Sequence, residues 1–277
     1  MDIKLIALDL DGTTLRSKSV LSEATKDALE RAIKKGVHVV IATGRTFASL
    51  PEPIFGIEGL EYVITSNGAH ITDLRTNETI YSNCADGTAI EKVREILYAH
   101  REFPVEVFTD GHAYIDEMVY EDVKNNGSDY MDANYILRTR NPIPCVYDFM
   151  LEHKNDIENI NIHFRNLQDK AEFKVLLEEY EGITVTSSMP HNIEIGGATT
   201  SKATAIFDLC QRLNIEESNV MAIGDSPNDS AMIIASGLGI AMGNAVDEVK
   251  EISDYVTLSN NEDGVAYAVR KFVLEDC

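Results

Sequence analysis

The first third of the chain alternates short apolar runs with longer segments in which apolar residues recur every three or four positions. Residues 3–10 and 37–42 are almost wholly apolar, which is typical of strands covered on both faces of a parallel sheet. Between them, Ser22 precedes an amphipathic pattern that stops at Gly36, and this predicts a helix with a defined cap at each end. A third strand is predicted over 62–66.

The last third of the chain has the same alternation. Its pattern predicts a helix, a strand, a helix, a strand and a helix over 202–213, 220–223, 227–235, 238–242 and 263–273. Strands that alternate with helices imply right-handed crossovers and a mostly parallel sheet. We therefore predict an α/β fold with a Rossmann-like, doubly wound parallel sheet, built from residues 1–83 and 191–277.

The middle of the chain has a different pattern. A hairpin is predicted over 104–117, and residues 157–165 alternate with period two, while helical patterns flank these strands. Antiparallel strands with helices on one side predict a separate α+β domain, inserted over residues 84–190. The Gly196-Gly197 pair is expected to form a loop.

Composition narrows the function classes. The chain has 24 Lys and Arg against 46 Asp and Glu, a formal net charge of −22. This charge argues against nucleic-acid binding and against docking on anionic membranes, because both need clustered Lys and Arg. It does not exclude a small anionic substrate, which responds to the local field of a cleft.

Several patterns that the sequence lacks bear on the cellular location and the oligomeric state of the protein. No apolar run approaches the roughly 20 residues that span a bilayer, and the start of the chain lacks the pattern of a signal peptide. The four cysteines, Cys84, Cys145, Cys210 and Cys277, are far apart, which favours isolated reduced thiols. We therefore expect a cytoplasmic protein, and a monomer or weak homo-oligomer.

Acidic residues follow the first predicted strand. Asp9 and Asp11 flank Leu10 and precede Gly12, at the edge where a parallel α/β sheet binds ligands. Two close carboxylates need a cation, a shared proton or different roles. Taken alone, the same residues also fit an Asp-Gly turn with a solvated neighbour.

Two further signals suit an anion. Thr43 and Gly44 directly follow the second strand, where a hydroxyl and a backbone N–H can bind phosphate, and Arg45 adds a charged donor. Lys202 begins a helix, a position that the helix dipole disfavours for a cation unless an anion is near. A helix cap and a solvated lysine are the ordinary alternatives.

The fourth signal is a second pair of acids. Asp225 and Asp229 follow the strand predicted over 220–223, and they offer the hard oxygen ligands that magnesium prefers. Helix capping would also explain them. However, all four signals fall at strand-to-helix junctions of one sheet, and the ordinary explanations do not account for that.

Four motifs, in chain order, resemble those of the haloacid dehalogenase superfamily of phosphohydrolases: DLDGTTL at 9–15, ATGR at 42–45, Lys202, and GDSPNDSAM at 224–232. GIAMGNA at 239–245, SNGA at 66–69 and the large insertion are similar to the Cof-type, sugar-phosphatase-like subgroup. The chain departs from the pattern at Ala203, where the family has glycine after the lysine.

The resemblance implies a Mg²⁺-dependent phosphatase that hydrolyses small phosphate monoesters, such as sugar phosphates, through an aspartyl-phosphate. Asp9 would be the nucleophile and Asp11 the general acid and base. The implied metal ligands are Asp9, the backbone carbonyl of Asp11, Asp225 and, directly or in support, Asp229. The phosphate-binding residues would be Thr43, Gly44, Lys202 and Asn228, with Arg45 on the phosphate or substrate side.

The inserted domain would be a mobile cap that selects the substrate, a small phosphorylated metabolite. Asp110, His112 and His163 are weak candidates for substrate contacts there. Two alternatives stay open: a phosphomutase of the same superfamily, and a non-catalytic regulator that binds sugar phosphates. The intact aspartate pairs argue against the regulator, since a pure binder needs no nucleophile beside an acid.

Overall fold

The computed structural model describes residues 2–276, beginning with a run of apolar strands joined by helices. These elements are β1 (Leu5–Leu8), α1 (Glu23–Lys34), β2 (His38–Ala42), α2 (Glu52–Phe55), β3 (Tyr62–Thr65), β4 (His70–Asp73) and β5 (Glu78–Ser82). Helix α1 begins as predicted, because the Ser22 hydroxyl accepts the Thr25 N–H at 3.1 Å. Strand β1 is fully buried on both faces.

The inserted segment is rich in short elements. They are α3 (Gly87–Ala99), β6 (Val105–Thr109), β7 (His112–Asp116), α4 (Glu117–Asn126), α5 (Ala133–Thr139), β8 (Arg140–Ile143), α6 (Val146–Glu152), β9 (Ile157–His163), α7 (Leu167–Glu178), β10 (Ile183–Thr186) and β11 (Asn192–Gly197). Its sheet has the strand order β10-β11-β9-β6-β7-β8, antiparallel except between β7 and β8.

The chain then completes the first sheet. The remaining elements are α8 (Lys202–Leu213), β12 (Val220–Gly224), α9 (Ser230–Ala235), β13 (Leu238–Ala241), α10 (Asp247–Glu251), β14 (Tyr255–Val256) and α11 (Gly264–Val269). The sheet has the order β14-β13-β12-β1-β2-β3-β4-β5, and it is parallel from β14 to β3. The mostly parallel α/β sheet that the sequence predicts is therefore confirmed.

Two compact units divide the described residues. One comprises 2–44, 50–82 and 201–276, and the other comprises Arg45–Ser49 and Asn83–Thr200. The inserted unit extends about ten residues beyond the predicted boundary at 190, because β11 pairs with β9 and β10. The expectation of a loop at Gly196-Gly197 is wrong, since both glycines pair with β10.

The two faces of the inserted sheet differ in chemistry. One face packs against α3, α6 and α7 through residues such as Ile90, Met150 and Ile160. Along β6 and β9, polar residues alternate with these apolar ones and point to the opposite face, yet they are also buried. There, Glu106 accepts a bidentate contact from Arg140, at 2.9 Å from Nε and 2.8 Å from Nη2.

The remaining sequence expectations concern cysteines and membrane spans. Among residues 2–276, the cysteines Cys84, Cys145 and Cys210 form no disulfide, and Cys277 lies outside the described residues. Between residues 2 and 276, the helices are too short or too polar to cross a bilayer.

Candidate active site

Three parallel strands deliver their carboxyl ends to the same edge of the first sheet. Leu8 of β1 lies beside Ile41 of β2 and Ile223 of β12. The residues that follow these strands therefore begin at one edge, where open α/β sheets bind ligands. This register brings the DLDGTTL, ATGR and GDSPNDSAM motifs together, as predicted.

A buried lysine joins two of the predicted acids. The Lys202 Nζ donates to Asp9 Oδ1 at 2.6 Å and to Asp229 Oδ1 at 2.7 Å. The Lys202 and Asp229 side chains are fully buried, and Asp9 is only 6% exposed. Lys202 is placed there by the first turn of α8, which the Ser201 hydroxyl caps by accepting the Thr204 N–H at 3.0 Å.

Three carboxylates surround this ammonium group. One oxygen each from Asp9, Asp225 and Asp229 lies within 4.8 Å of the other two. Full ionisation would place three negative charges against the one positive charge of Lys202. Buried charges must be compensated, so these three carboxylates favour the binding of a cation.

Burial and the neighbouring charges shift the pKa values of Asp9, Asp225 and Lys202. Burial, and then repulsion by Asp229, raise the pKa of Asp9 well above its usual value, although Lys202 opposes them. Burial and Asp229 also raise the pKa of Asp225 to about 6. Burial alone would lower the pKa of Lys202, but the Asp229 and Asp9 carboxylates outweigh it and raise that pKa.

Asp225 is held against the first motif. The Thr13 hydroxyl donates to its Oδ1 at 3.0 Å, and the Ser226 hydroxyl lies 3.3 Å from its Oδ2. A Cβ on Gly12 would lie 2.5 Å from that Oδ2, and Gly12 has a φ of +79°. Only glycine fits both the left-handed turn and this close approach.

Asp229 has a different set of partners from the other two acids. Its Oδ2 accepts the backbone N–H groups of Asp225 and Ser226, at 2.9 and 3.1 Å. Its Oδ1 accepts the Lys202 ammonium. Because both oxygens already have partners, Asp229 fits a supporting role better than a direct metal ligand.

Asp11 does not share the environment of Asp9. Strand β1 ends at Leu8, so the two acids are not successive residues on one face of a strand. The Asp11 side chain is exposed, and it lies outside the group formed by Asp9, Asp225 and Asp229. An exposed carboxyl beside a buried one suits a group that exchanges protons with substrate and water.

The second motif is divided between the two compact units. Thr43 is buried at the end of β2, where its backbone N–H donates to the Ile64 oxygen at 2.9 Å, and Gly44 follows it in the same unit. Arg45 belongs to the inserted unit. Its Nη1 donates to the Ser49 oxygen at 3.0 Å, and its guanidinium lies 5.0 Å from the Tyr135 ring centre.

Asn228 contacts a residue to which the sequence had given no role at the site. Its Nδ2 donates to Asn67 Oδ1 at 2.9 Å, and both side chains are buried. The SNGA motif was the available signal for Asn67, but it indicated only a family resemblance. Asn244, in the GIAMGNA motif, was also missed, and its Nδ2 donates to the Gly12 oxygen at 2.9 Å.

The candidate substrate contacts in the inserted unit, His112 and His163, differ in their exposure and in their partners. His112 is exposed, and its Nδ1 lies 2.7 Å from the Asp110 backbone oxygen. His163 is buried, with its Nε2 3.4 Å from Glu106 Oε2 and its ring 4.5 Å from that of Tyr130. Their suggested role in substrate contact stays a prediction.

Comparisons with known proteins agree with this geometry. Residues 6–269 match the family model of haloacid dehalogenase-like hydrolases. A 5-amino-6-(5-phospho-D-ribitylamino)uracil phosphatase of Bacillus subtilis is 36% identical over 275 residues, covering 99% of this chain and 97% of the relative. A further B. subtilis protein, named as a phosphatase, is 34% identical and covers 97% of this chain and 99% of its own length.

A solved structure supports the same assignment. The haloacid dehalogenase-like hydrolase from B. subtilis has a TM-score of 0.84 and 31% identity, with 98% of this chain and all of that chain covered. The family match spans most of the chain, and the relatives are aligned over nearly their whole length. The chain therefore belongs to the haloacid dehalogenase superfamily, as a Cof-type hydrolase and a phosphatase of small phosphate compounds.

Proposed function

We propose that the protein hydrolyses phosphate monoesters of sugars or related polyols in a Mg²⁺-dependent reaction, with Asp9 as the nucleophile. The observation that carries the proposal is the buried contact of Asp9 with Lys202, beside Asp225 and Asp229. A nucleophilic carboxylate needs a fixed position and a charged environment that also accepts a phosphoryl group.

The chemistry divides into two displacements. An Asp9 oxygen attacks phosphorus, the bond from phosphorus to the leaving oxygen breaks, and Asp11 gives that oxygen a proton. Water then attacks phosphorus while Asp11 takes up its proton, and inorganic phosphate leaves with Asp9 restored. Lys202 holds Asp9 Oδ1 at 2.6 Å, which orients the carboxylate and offsets negative charge during both steps.

The acids fit a magnesium ion. Their oxygen atoms are the hard ligands that Mg²⁺ prefers, and one oxygen each from Asp9, Asp225 and Asp229 lies within 4.8 Å of the other two. Asp9, Asp225 and the Asp11 backbone carbonyl would hold the ion, with Asp229 in support. When bound, it supplies positive charge that offsets repulsion between the carboxylates and the phosphoryl oxygens.

The remaining phosphate contacts come from the second and fourth motifs. Thr43, Gly44 and Asn228 would bind the phosphoryl oxygens, together with Lys202. Arg45 would act on the phosphate or substrate side. The predicted cap function of that unit, a cytoplasmic location, and a monomer or weak homo-oligomer belong to the same proposal.

The relatives supply a first substrate to try. The 36% identical relative is named for 5-amino-6-(5-phospho-D-ribitylamino)uracil, a phosphorylated polyol that carries a pyrimidine. This ester is therefore the first substrate to test, followed by simpler sugar phosphates. Ribitol 5-phosphate is the matched comparison, since it has the polyol phosphate without the ring.

Phosphate release from these esters tests the proposal. We expect the purified protein to release inorganic phosphate from p-nitrophenyl phosphate and from at least one polyol phosphate, with release lost in EDTA and restored by Mg²⁺. A kcat/KM for the pyrimidine ester more than about tenfold above that for ribitol 5-phosphate would show recognition of the ring, worth about 1.4 kcal/mol. Release that continues in EDTA would contradict the Mg²⁺ dependence, and no release from any ester would favour a regulator.

A further inference from the structure

Asn67 lies in a backbone turn that is unusual for its residue types. The turn Ser66–Gly68 joins β3 to β4 and has three successive positive φ angles, +49°, +57° and +102°. Glycine adopts this region freely, but a non-glycine residue held there is strained. All three residues are buried, so their packing holds the backbone in this conformation.

The turn contacts three of the four motif segments. The Asn67 N–H donates to the Thr43 oxygen at 3.0 Å, and the Asn67 side chain accepts from Asn228. A Cβ on Gly68 would collide with the Ser201 carbonyl oxygen and lie 3.0 Å from the Lys202 backbone nitrogen. The turn therefore packs directly against the start of α8, whose first residue is Lys202.

We infer that Asn67 is a positioning residue for the phosphate site and acts through Asn228, an inference that rests on the proposed function. Its side-chain oxygen fixes the Asn228 amide by accepting one of the two N–H groups of Nδ2. The same turn fixes Thr43 and the start of α8. The turn thus links Asn228, through the Asn67 side chain, with two other predicted phosphate-binding segments, which contact the Asn67 backbone and Gly68.

The side-chain amide of Asn228 indicates the kind of ligand that it can bind. Asn228 is 9% exposed, and its Oδ1 has no hydrogen-bond partner within residues 2–276. A buried amide oxygen without a partner is destabilising, so a ligand that donates to it gains binding free energy. A monoprotonated phosphate group can donate its hydroxyl to Oδ1 and accept the second N–H of Nδ2.

A hairpin turn alone does not explain these contacts. Two-residue hairpins need positive φ angles, but they place the turn residues in solvent, where their side chains can vary. Here Asn67 is only 5% exposed, and its amide contacts a residue 161 positions away. Backbone strain with a specific long-range contact is typical of functional sites.

Substitution by glycine separates the side chain from the backbone. Asn67→Gly keeps the left-handed conformation without strain and removes the side-chain contact with Asn228. We expect it to raise the dissociation constant for inorganic phosphate about tenfold, measured by calorimetric titration in Mg²⁺ buffer. Asn228→Ala should weaken phosphate to a similar extent.

The double variant distinguishes positioning from general structure. If Asn67 acts through Asn228, then Asn67→Gly in the Asn228→Ala background will cause less than a twofold further loss of phosphate affinity. Additive losses would overturn the inference, and so would wild-type phosphate affinity in Asn67→Gly with only a lowered Tm. Asn77→Gly is the matched control, because Asn77 is an exposed residue with a φ of +58° in the β4–β5 turn.

These measurements distinguish failure of the positioning role of Asn67 from failure of the proposed hydrolysis. A wild-type protein that binds inorganic phosphate through this pair but hydrolyses no ester would support the positioning role and refute the proposed hydrolysis. A wild-type protein that hydrolyses esters, with inorganic phosphate affinity insensitive to both variants, would refute the positioning role alone.

Discussion

Replacing Asp9 by asparagine is expected to lower kcat by at least about a thousandfold, because loss of a covalent nucleophile removes the reaction path itself. The amide is close in size to the carboxylate but cannot form a stable bond to phosphorus. The change should leave the fold intact. Lys202 keeps its contact with Asp229, so its buried ammonium retains a carboxylate partner.

Two measurements keep this result interpretable. The Tm of Asp9→Asn should stay close to that of the wild type, which separates lost chemistry from lost folding. Asp27→Asn is the matched control, because Asp27 lies on α1 with its side chain 57% exposed. That variant should keep wild-type kcat. Hydrolysis by Asp9→Asn within about tenfold of the wild-type rate would rule out Asp9 as the nucleophile.

Replacing Arg140 by methionine is expected to destabilise the inserted unit by about 3–5 kcal/mol, since the change leaves a buried carboxylate without its partner. Glu106 is fully buried and accepts two hydrogen bonds from Arg140. Burial alone would raise the pKa of Glu106, but Arg140 and His163 outweigh it and hold the pKa well below the usual value.

The pH dependence of this loss has a definite sign. Since folding lowers the pKa of Glu106, the pair contributes its full stability above the unfolded value of about 4.3, and the contribution declines as pH falls toward the folded value. The difference in unfolding free energy between wild type and Arg140→Met should therefore be largest near neutral pH and shrink below about pH 4.

Chemical denaturation followed by circular dichroism measures this difference, and the chain has no tryptophan to provide a fluorescence signal. The control is the double variant Glu106→Gln/Arg140→Met, in which neither partner is charged. It should be more stable than Arg140→Met alone, because no buried charge is left unpaired. Equal stability of wild type and Arg140→Met near neutral pH would contradict the account of this pair.

The sequence predicted the five central strands of the first sheet because they are apolar on both faces, but it did not predict β4, β5 and β14, of which β5 is largely exposed. Helix α8 occupies the predicted residues, β1 is shorter than the predicted 3–10, and Ser22 caps α1 as expected. The inserted sheet was harder to predict because its second face is buried and polar. In β11, for example, Ile193 and Ile195 alternate with buried polar residues, but the run is short and ends in two glycines, which are typical of a loop.

The residues of the candidate site were also predicted only in part. The sequence identified residues that follow neighbouring strands, because the edge of a parallel sheet is set by topology. It did not identify Asn67, since the contact with Asn228 spans 161 positions and depends on a turn conformation. The two capping contacts that occupy Asp229 Oδ2 also depend on local backbone geometry, which residue types alone do not determine.

The central claim is that phosphoryl transfer passes through Asp9, and trapping the transferred group tests it most directly. In Asp11→Asn, p-nitrophenyl phosphate still supplies a leaving group that needs no acid, while the hydrolytic water lacks its base. A phosphoryl group should therefore accumulate on the acid-quenched protein and map to the peptide that contains Asp9. A phosphoryl group on any other residue, or p-nitrophenol release with no adduct at any time, would contradict the account.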